Sequence, residues 1–371
     1  TATTTGIRNI AIGAETLLTN VDGDGNIAIG FEALRTLEPD DGLTYNIAVG
    51  YEAGGLITTG VHNTLIGGLA GDSLTTGSYN VAIGKGALST EDANGYNVAI
   101  GLNALNVQNA GAEGYNVAIG ANAGVAVTTG INNTLIGGLA GDALTTSGSN
   151  VLIGTKAGSS ATIGNSNTAI GTEAMYTNVA ADRNVAIGVQ ALYTMTSATT
   201  ADTYNVAVGY QAGTLITTGV NNTIMGGLAG DALTTGTNNV ALGYGALGTE
   251  DTGGQNVAIG VNALTTLNYA GNGLNTAVGY AAGALMTTGV QNTIVGGQAG
   301  DALTTGSYNI AIGFRALSSE DTGGTSIGIG YYALQAQNND SNNYNVAIGH
   351  AAGGAVTTGT YNTLIGGLAG D

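Results

Sequence analysis

The sequence predicts an all-β fold, a β-solenoid of about 21 coils of about 17 residues running as one continuous repeat domain over 1–371. Three observations lead there. A motif close to Asn-Val-Ala-Ile-Gly recurs with its Asn at 9, 26, 46, 63, 80, 97, 116, 133, 150, 167, 184, 205, 222, 239, 256, 275, 292, 309, 345 and 362, Ser326 standing in once. Composition is far from average, with 66 Gly, 1 Pro, no Cys, no Trp and 8% charged residues, against a usual charged share of about 25%. Apolar residues nevertheless make up 43%, too many and too regular for a disordered linker.

Counting each coil from its Asn as position 1, the elements follow in order. Positions 2 to 4 are β-branched or small apolar residues and predict a short strand. Position 5 is Gly in every copy, from Gly13 to Gly366, which implies a corner needing positive φ or close approach. Position 8 is Ala except at Thr16, and a Thr-Thr-Gly run then brings a second corner. Two short strands and two turns per coil are expected. Stacked at the strand spacing of about 4.8 Å, the coils would extend roughly 100 Å. Equivalent residues then form ladders, of which Asn80, Asn97, Gly84, Gly101, Ala87 and Ala104 are members. The Asn column is expected to satisfy corner backbone groups and its own neighbours.

Position 3 is Ala in most coils, as at Ala82 and Ala99, and larger at Leu65, Leu135, Ile224, Ile294 and Leu364. A strand apolar on both faces is buried on both. So thin a coil predicts that companion chains shield the small position-3 methyls, and identical neighbours favour a cyclic homo-oligomer.

Four kinds of coil alternate in blocks of about seventy residues. One carries Thr-Thr-Gly, and the next reads Asn-Thr-Leu-Ile-Gly-Gly-Leu-Ala-Gly-Asp, as at 63–72. A third carries an acidic turn (Glu91-Asp92, Glu250-Asp251, Glu320-Asp321). The fourth holds an insertion of 2 to 4 residues, read from the stretched spacings 26 to 46, 97 to 116, 184 to 205, 256 to 275 and 326 to 345. The insertions should emerge as a row of loops on one face, where recognition concentrates. Both termini fall mid-coil, which predicts an excerpt of a longer fibre.

A net charge of −18, with only Arg8, Arg35, Lys85, Lys156, Arg183 and Arg315 positive, argues against nucleic acid or an anionic membrane as partner. No stretch has the roughly twenty apolar residues of a membrane span. Catalysis has little to work with: His62 and His350 occupy unrelated coil positions, and adjacent Glu-Asp pairs in turns are expected to be solvated. No enzyme and no cofactor are expected. Asp72, Asp142, Asp231 and Asp301 are weak calcium candidates, should they meet the acidic turn of the following coil. A turn-forming Asp accounts for the same residues. Thr columns invite comparison with ice-binding arrays, and hydroxyl ladders at a corner explain them as well. Tyr recurs before the Asn (Tyr45, Tyr79, Tyr96, Tyr115) and after the corner Gly (Tyr51, Tyr210, Tyr244). Stacked corner aromatics explain both rows, and exposed Tyr rows could also touch a glycan.

Asn-Val-Ala-Ile-Gly-x-x-Ala resembles the head repeat of YadA-like trimeric autotransporter adhesins. The 17-residue coil, with Asn-Thr-Ala-Val-Gly-Tyr-x-Ala at 275–282, is similar to shafts of phage tail-fibre-like proteins. The likeness covers essentially the whole chain. It implies a left-handed parallel β-roll, a homotrimeric fibre, and attachment to a surface receptor or glycan, in an extracellular, cell-surface or virion setting. Adhesin heads of this type use shorter coils, so their binding surface does not transfer. The other expectation is a structural filament subunit polymerising end to end without a receptor.

Overall fold

A computed structural model describes residues 5–39, 42–162, 164–196 and 201–371. The chain is a parallel β-solenoid whose described residues contain no helix. It divides into two compact units, 1–183 with 196–201, and 184–195 with 202–371. The first carries ten three-residue strands, from Ile10–Ile12 to Thr168–Ile170, and the second eleven, from Val185–Ile187 to Thr363–Ile365. Within each unit neighbouring strands run parallel and in register, so that Val81, Ala82 and Ile83 face Val98, Ala99 and Ile100.

The register is held by buried asparagine. Asn80 and Asn97 are fully buried. The Asn97 backbone N–H donates to Asn80 Oδ1 at 3.0 Å, as the Asn80 N–H donates to Asn63 Oδ1 at 2.9 Å. Asn80 Nδ2 donates to the Asn94 carbonyl at 3.1 Å, at the second corner. One side chain therefore ties the next coil to its own corner, leaving few buried amide groups unmatched. Where Ser326 replaces Asn, Gln337 reaches in, its Nε2 donating to Ser326 Oγ at 2.8 Å and its Oε1 accepting from Asn345 Nδ2 at 2.8 Å.

Position 5 must be glycine for two reasons. Gly84 has φ +135°, and a Cβ there would lie 2.4 Å from the carbonyl oxygen of Gly101 in the next coil. Beyond this corner Ala87 and Ala104 are fully buried, and the Leu88 N–H donates to the Ala104 carbonyl at 2.9 Å.

Two expectations are corrected. A second strand is not a regular part of the coil: outside the triplets the described residues hold only two-residue strands such as Gly23–Asp24, which pairs with Gly42–Leu43. Left-handed residues at positions 7 and 9, such as Asn103 (φ 53°) and Leu105 (φ 48°), turn the chain too often for extended backbone. The position-3 methyls are not left for companion chains to cover. Ala82 and Ala99 are 0% exposed in the chain alone, whereas positions 2 and 4 are only partly covered. The larger residues at position 3 fill the coil's own core: Leu65 occupies the room a side chain at Gly54 would need, its Cδ1 lying 2.6 Å from where that Cβ would be. The apolar face that lacks cover is thus the outer one, at positions 2 and 4.

Candidate functional site

Because side chains alternate along a strand, positions 2 and 4 share their outward face with position 6 beyond the corner and with the residue immediately before each Asn, called position 17 whatever the length of the coil it ends. Large apolar residues are exposed at both flanks, among them Tyr45, Tyr79, Tyr96 and Tyr115 at position 17 and Phe31, Tyr51, Leu102 and Tyr280 at position 6. A coil such as 45–51 therefore presents Tyr45, Ile47, Val49 and Tyr51 outward. Acidic residues avoid this face. None of the 24 Asp and Glu residues occupies position 17, 2, 4 or 6 of any coil.

The position-17 aromatics form a stacked column. Ring centroids of Tyr45 and His62 lie 5.4 Å apart, His62 and Tyr79 5.0 Å, Tyr79 and Tyr96 5.1 Å, and Tyr96 and Tyr115 5.2 Å. The planes of Tyr79 and Tyr96 differ by only 10°. Within the column the ring faces are turned to each other, leaving edges and hydroxyls to the outside. The column therefore offers little of the face-on platform on which a sugar ring would stack. His62 belongs to this column, and His350 stacks 5.2 Å from Tyr331 in the position-6 row, so the two histidines serve different flanks.

The acidic turns depart from expectation. Glu91, Glu250 and Glu320 are fully buried, because position 12 is an inward core position shared with Ile57, Leu74, Leu233 and Leu303. Each carboxylate closes its own second corner: the Gly253 N–H donates to Glu250 Oε1 at 2.7 Å, Gly323 to Glu320 Oε1 at 2.8 Å, and Asn94 to Glu91 Oε1 at 3.2 Å. Glu250 and Glu320 also reach the root of the inserted loop in the next coil. The Tyr269 N–H donates to Glu250 Oε2 at 3.3 Å, and Asn343 Nδ2 to Glu320 Oε2 at 2.8 Å. Burial pushes the Glu91 and Glu250 carboxyls above the usual Glu range, against the pull of these donors.

The signal that separates Glu from Asp in these turns is the coil count. Position 12 is inward in every kind of coil and position 13 is not, so aligning Glu91 with Leu74 would have found it.

The calcium candidates are not brought together with the acidic turns. Asp72, Asp142, Asp231 and Asp301 lie half-buried at position 10; Glu91, Glu250 and Glu320, in the coils after Asp72, Asp231 and Asp301, point into the core, and the coil after Asp142 carries no acidic turn. Asp142 Oδ1 accepts the Ser159 hydroxyl at 2.7 Å. Burial raises the Asp72, Asp231 and Asp301 carboxyls above their ordinary value. Beside Asp72 a hollow of about 130 Å³ is lined by Glu32, Arg35, Glu52, Gly55 and Leu56, and Arg35 already pairs with Glu32 at 3.0 Å. Among the described residues no group of three or more His, Cys, Asp or Glu is placed to hold a metal ion.

At the second corner, position-13 hydroxyls bond to the next coil, Thr58 Oγ1 donating to the Thr75 carbonyl at 3.3 Å and Thr128 Oγ1 to the Thr145 carbonyl at 3.1 Å. Inserted residues emerge at this corner in 109–114, 268–273 and 338–343, where most are exposed. The insertions around 40–41 and 197–200 lie partly outside the described residues. Comparison with protein-family models and with curated proteins finds no match for this chain.

Proposed function

We propose that the chain is the shaft of an attachment fibre: a non-enzymatic homotrimer, extracellular or virion-borne, of left-handed parallel solenoids joined through their strand faces. Its insertion loops, at the second corner, then face outward towards a surface receptor. The observation that carries the reading is the segregation of charge. A chain of net charge −18 has no acidic residue at the strand-face positions of any coil and leaves exposed aromatics there. Exposed apolar surface of this extent marks an interface.

Its size is adequate. Ten stacked coils of the first unit give a strip about 48 Å long and about 17 Å wide, on the order of 800 Å². Shared between two neighbours in a ring, the strips of the two units supply about 800 Å² to each contact, the share each partner contributes to a standard stable interface. A catalytic role finds no support in the buried carboxylates, which are engaged by backbone N–H groups inside the coil.

Sedimentation velocity of the full chain tests the assembly. The expected species is 3 × 36.2 kDa. The double variant Val98→Glu/Val117→Glu, outward on neighbouring strands, should keep the β spectrum and run as a monomer. A wild-type chain that stays at 36.2 kDa at micromolar concentration overturns the reading. Fibres lengthening without limit as concentration rises would instead identify an end-to-end filament subunit. Attachment is read from retention of trimer-coated beads on cell and glycan surfaces, which should fall when 109–114, 268–273 and 338–343 are replaced by Thr-Thr-Gly corners.

A further inference from the structure

Five coils interrupt the ridge of side chains at position 6 with glycine: Gly68, Gly138, Gly227, Gly297 and Gly367. The chain itself gives no reason for them. None has positive φ. A Cβ would meet nothing within 4 Å at Gly138, and only ordinary contacts elsewhere, the nearest being Phe314 Cδ2 at 3.5 Å from Gly297. The same backbone position carries Tyr51, Lys85, Leu102 and Phe314 in other coils, so a side chain fits it. This contrasts with Gly84, where the next coil excludes one at 2.4 Å. Glycine that the fold does not need marks a place where something outside the chain comes close to the backbone.

The occupant must match two features. It must be apolar or neutral, since the face carries no acid and few cations. It must also present protrusions at the notch spacing, four coils from Gly68 to Gly138 and again from Gly227 to Gly297 and from Gly297 to Gly367. A second copy of this chain, parallel and level, has that spacing within each unit. Its strips, about 800 Å² in each of two units, leave about 800 Å² for each of the two contacts a ring member makes, the size a stable association needs.

In a cyclic assembly the contact is heterologous, one flank of each copy against the opposite flank of the next. We infer that the position-6 glycines are notches that seat the position-17 flank of a neighbouring copy and thereby fix the axial register of the assembly. In the notch coils that flank is His62, Asn132, Asn221, Gln291 and Tyr361. This rests on the proposed self-association and adds its register and mode of contact.

Cysteine pairing tests it cleanly, because the chain has no Cys. In Asn132→Cys/Gly138→Cys the two positions flank one strand, about 15–20 Å apart within a chain. A disulfide needs Cα atoms within about 7 Å and so forms only between copies. Oxidation of the assembled protein should give covalent species that stop at the number of copies in the ring. Filling the notches with the repeat's own alternative, Gly138→Tyr/Gly297→Tyr, should keep the far-ultraviolet spectrum and raise the dissociation constant by about tenfold or more. Ala126→Leu, off this face and matching Leu56, should leave it unchanged. Assembly with no cross-link, or with affinity untouched by the Tyr variants, overturns the notch inference alone. A wild-type chain that never associates overturns the parent reading instead. If the Tyr variants lose their fold, the cysteine pair decides.

Discussion

Glu250 lies fully inside its coil with one carboxylate oxygen 2.7 Å from the Gly253 amide and the other 3.3 Å from the Tyr269 amide. Burial raises its carboxyl above the ordinary value, which is about 4.3 for Glu in an unfolded chain. The native state therefore binds this proton more tightly than the unfolded chain does. The corresponding stability is fully present below about pH 4.3 and is lost as pH rises through the raised native value. Glu250→Gln keeps an acceptor oxygen for Gly253, gives up only the longer bond from Tyr269, and removes the charge. Thermal unfolding by circular dichroism should thus show it more stable than wild type at pH 7, with the gap closing towards pH 4. Wild type standing above the Gln variant at pH 7 would contradict this account of the site. Glu250→Leu matches the packing of Leu233 and Leu303 but strands the buried Gly253 N–H, and should cost about 1–3 kcal/mol.

The same side chain explains how a coil tolerates an insertion in its neighbour. In ordinary coils the position-15 N–H donates to the position-13 carbonyl of the next coil, as from Gly60 to Thr75, Gly130 to Thr145 and Gly289 to Thr304, each at 3.3 Å. An inserted loop begins after position 12 and redirects that carbonyl. In the coil before an insertion the N–H turns to a side chain at its own position 12. Gly23 uses Asn20, Asn94 uses Glu91, Ala181 uses Asn178, Gly253 uses Glu250 and Gly323 uses Glu320. All five insertions are preceded by this substitution. A double-mutant cycle isolates the link. Glu91→Leu should cost about 1–3 kcal/mol in the natural chain. It should cost under about 0.5 kcal/mol once 109–114 is replaced by the four-residue corner of 128–131, which returns the backbone acceptor to Asn94. Equal costs in both backgrounds would break the link. Coil length, the corner glycine and the insertions were all legible in the sequence, because each recurs at a fixed offset. The direction of the strand was not: Ala82 is apolar like Val81 and Ile83, so alternation could not tell inside from outside. Nor could turn chemistry distinguish buried Glu91 from outward Asp92, since both are acidic and adjacent.

For the whole molecule, charge and apolar surface act against each other in association. Each chain carries a net charge of −18, and none of its acidic residues occupies the strand-face positions of the proposed interface. Bringing copies together gains burial of the Tyr, Val and Ile strip but sets like-charged bodies side by side. Such repulsion acts over a Debye length of about 30 Å at 0.01 M salt and about 8 Å at 0.15 M. Raising ionic strength between those values should therefore tighten self-association, seen as a lower dissociation constant in sedimentation equilibrium. Interfaces built on opposite charges do the reverse, weakening as salt screens their attraction. The sign of the salt dependence thus separates an apolar joint from an ionic one without any mutation. Charge removal should reproduce the effect of salt: Asp251→Asn and Asp321→Asn, outside the strand face, should strengthen association at 0.01 M and matter little at 0.15 M. Weakening by salt, or indifference to it across that range, would mean that the segregation of acidic residues has some cause other than assembly through this face.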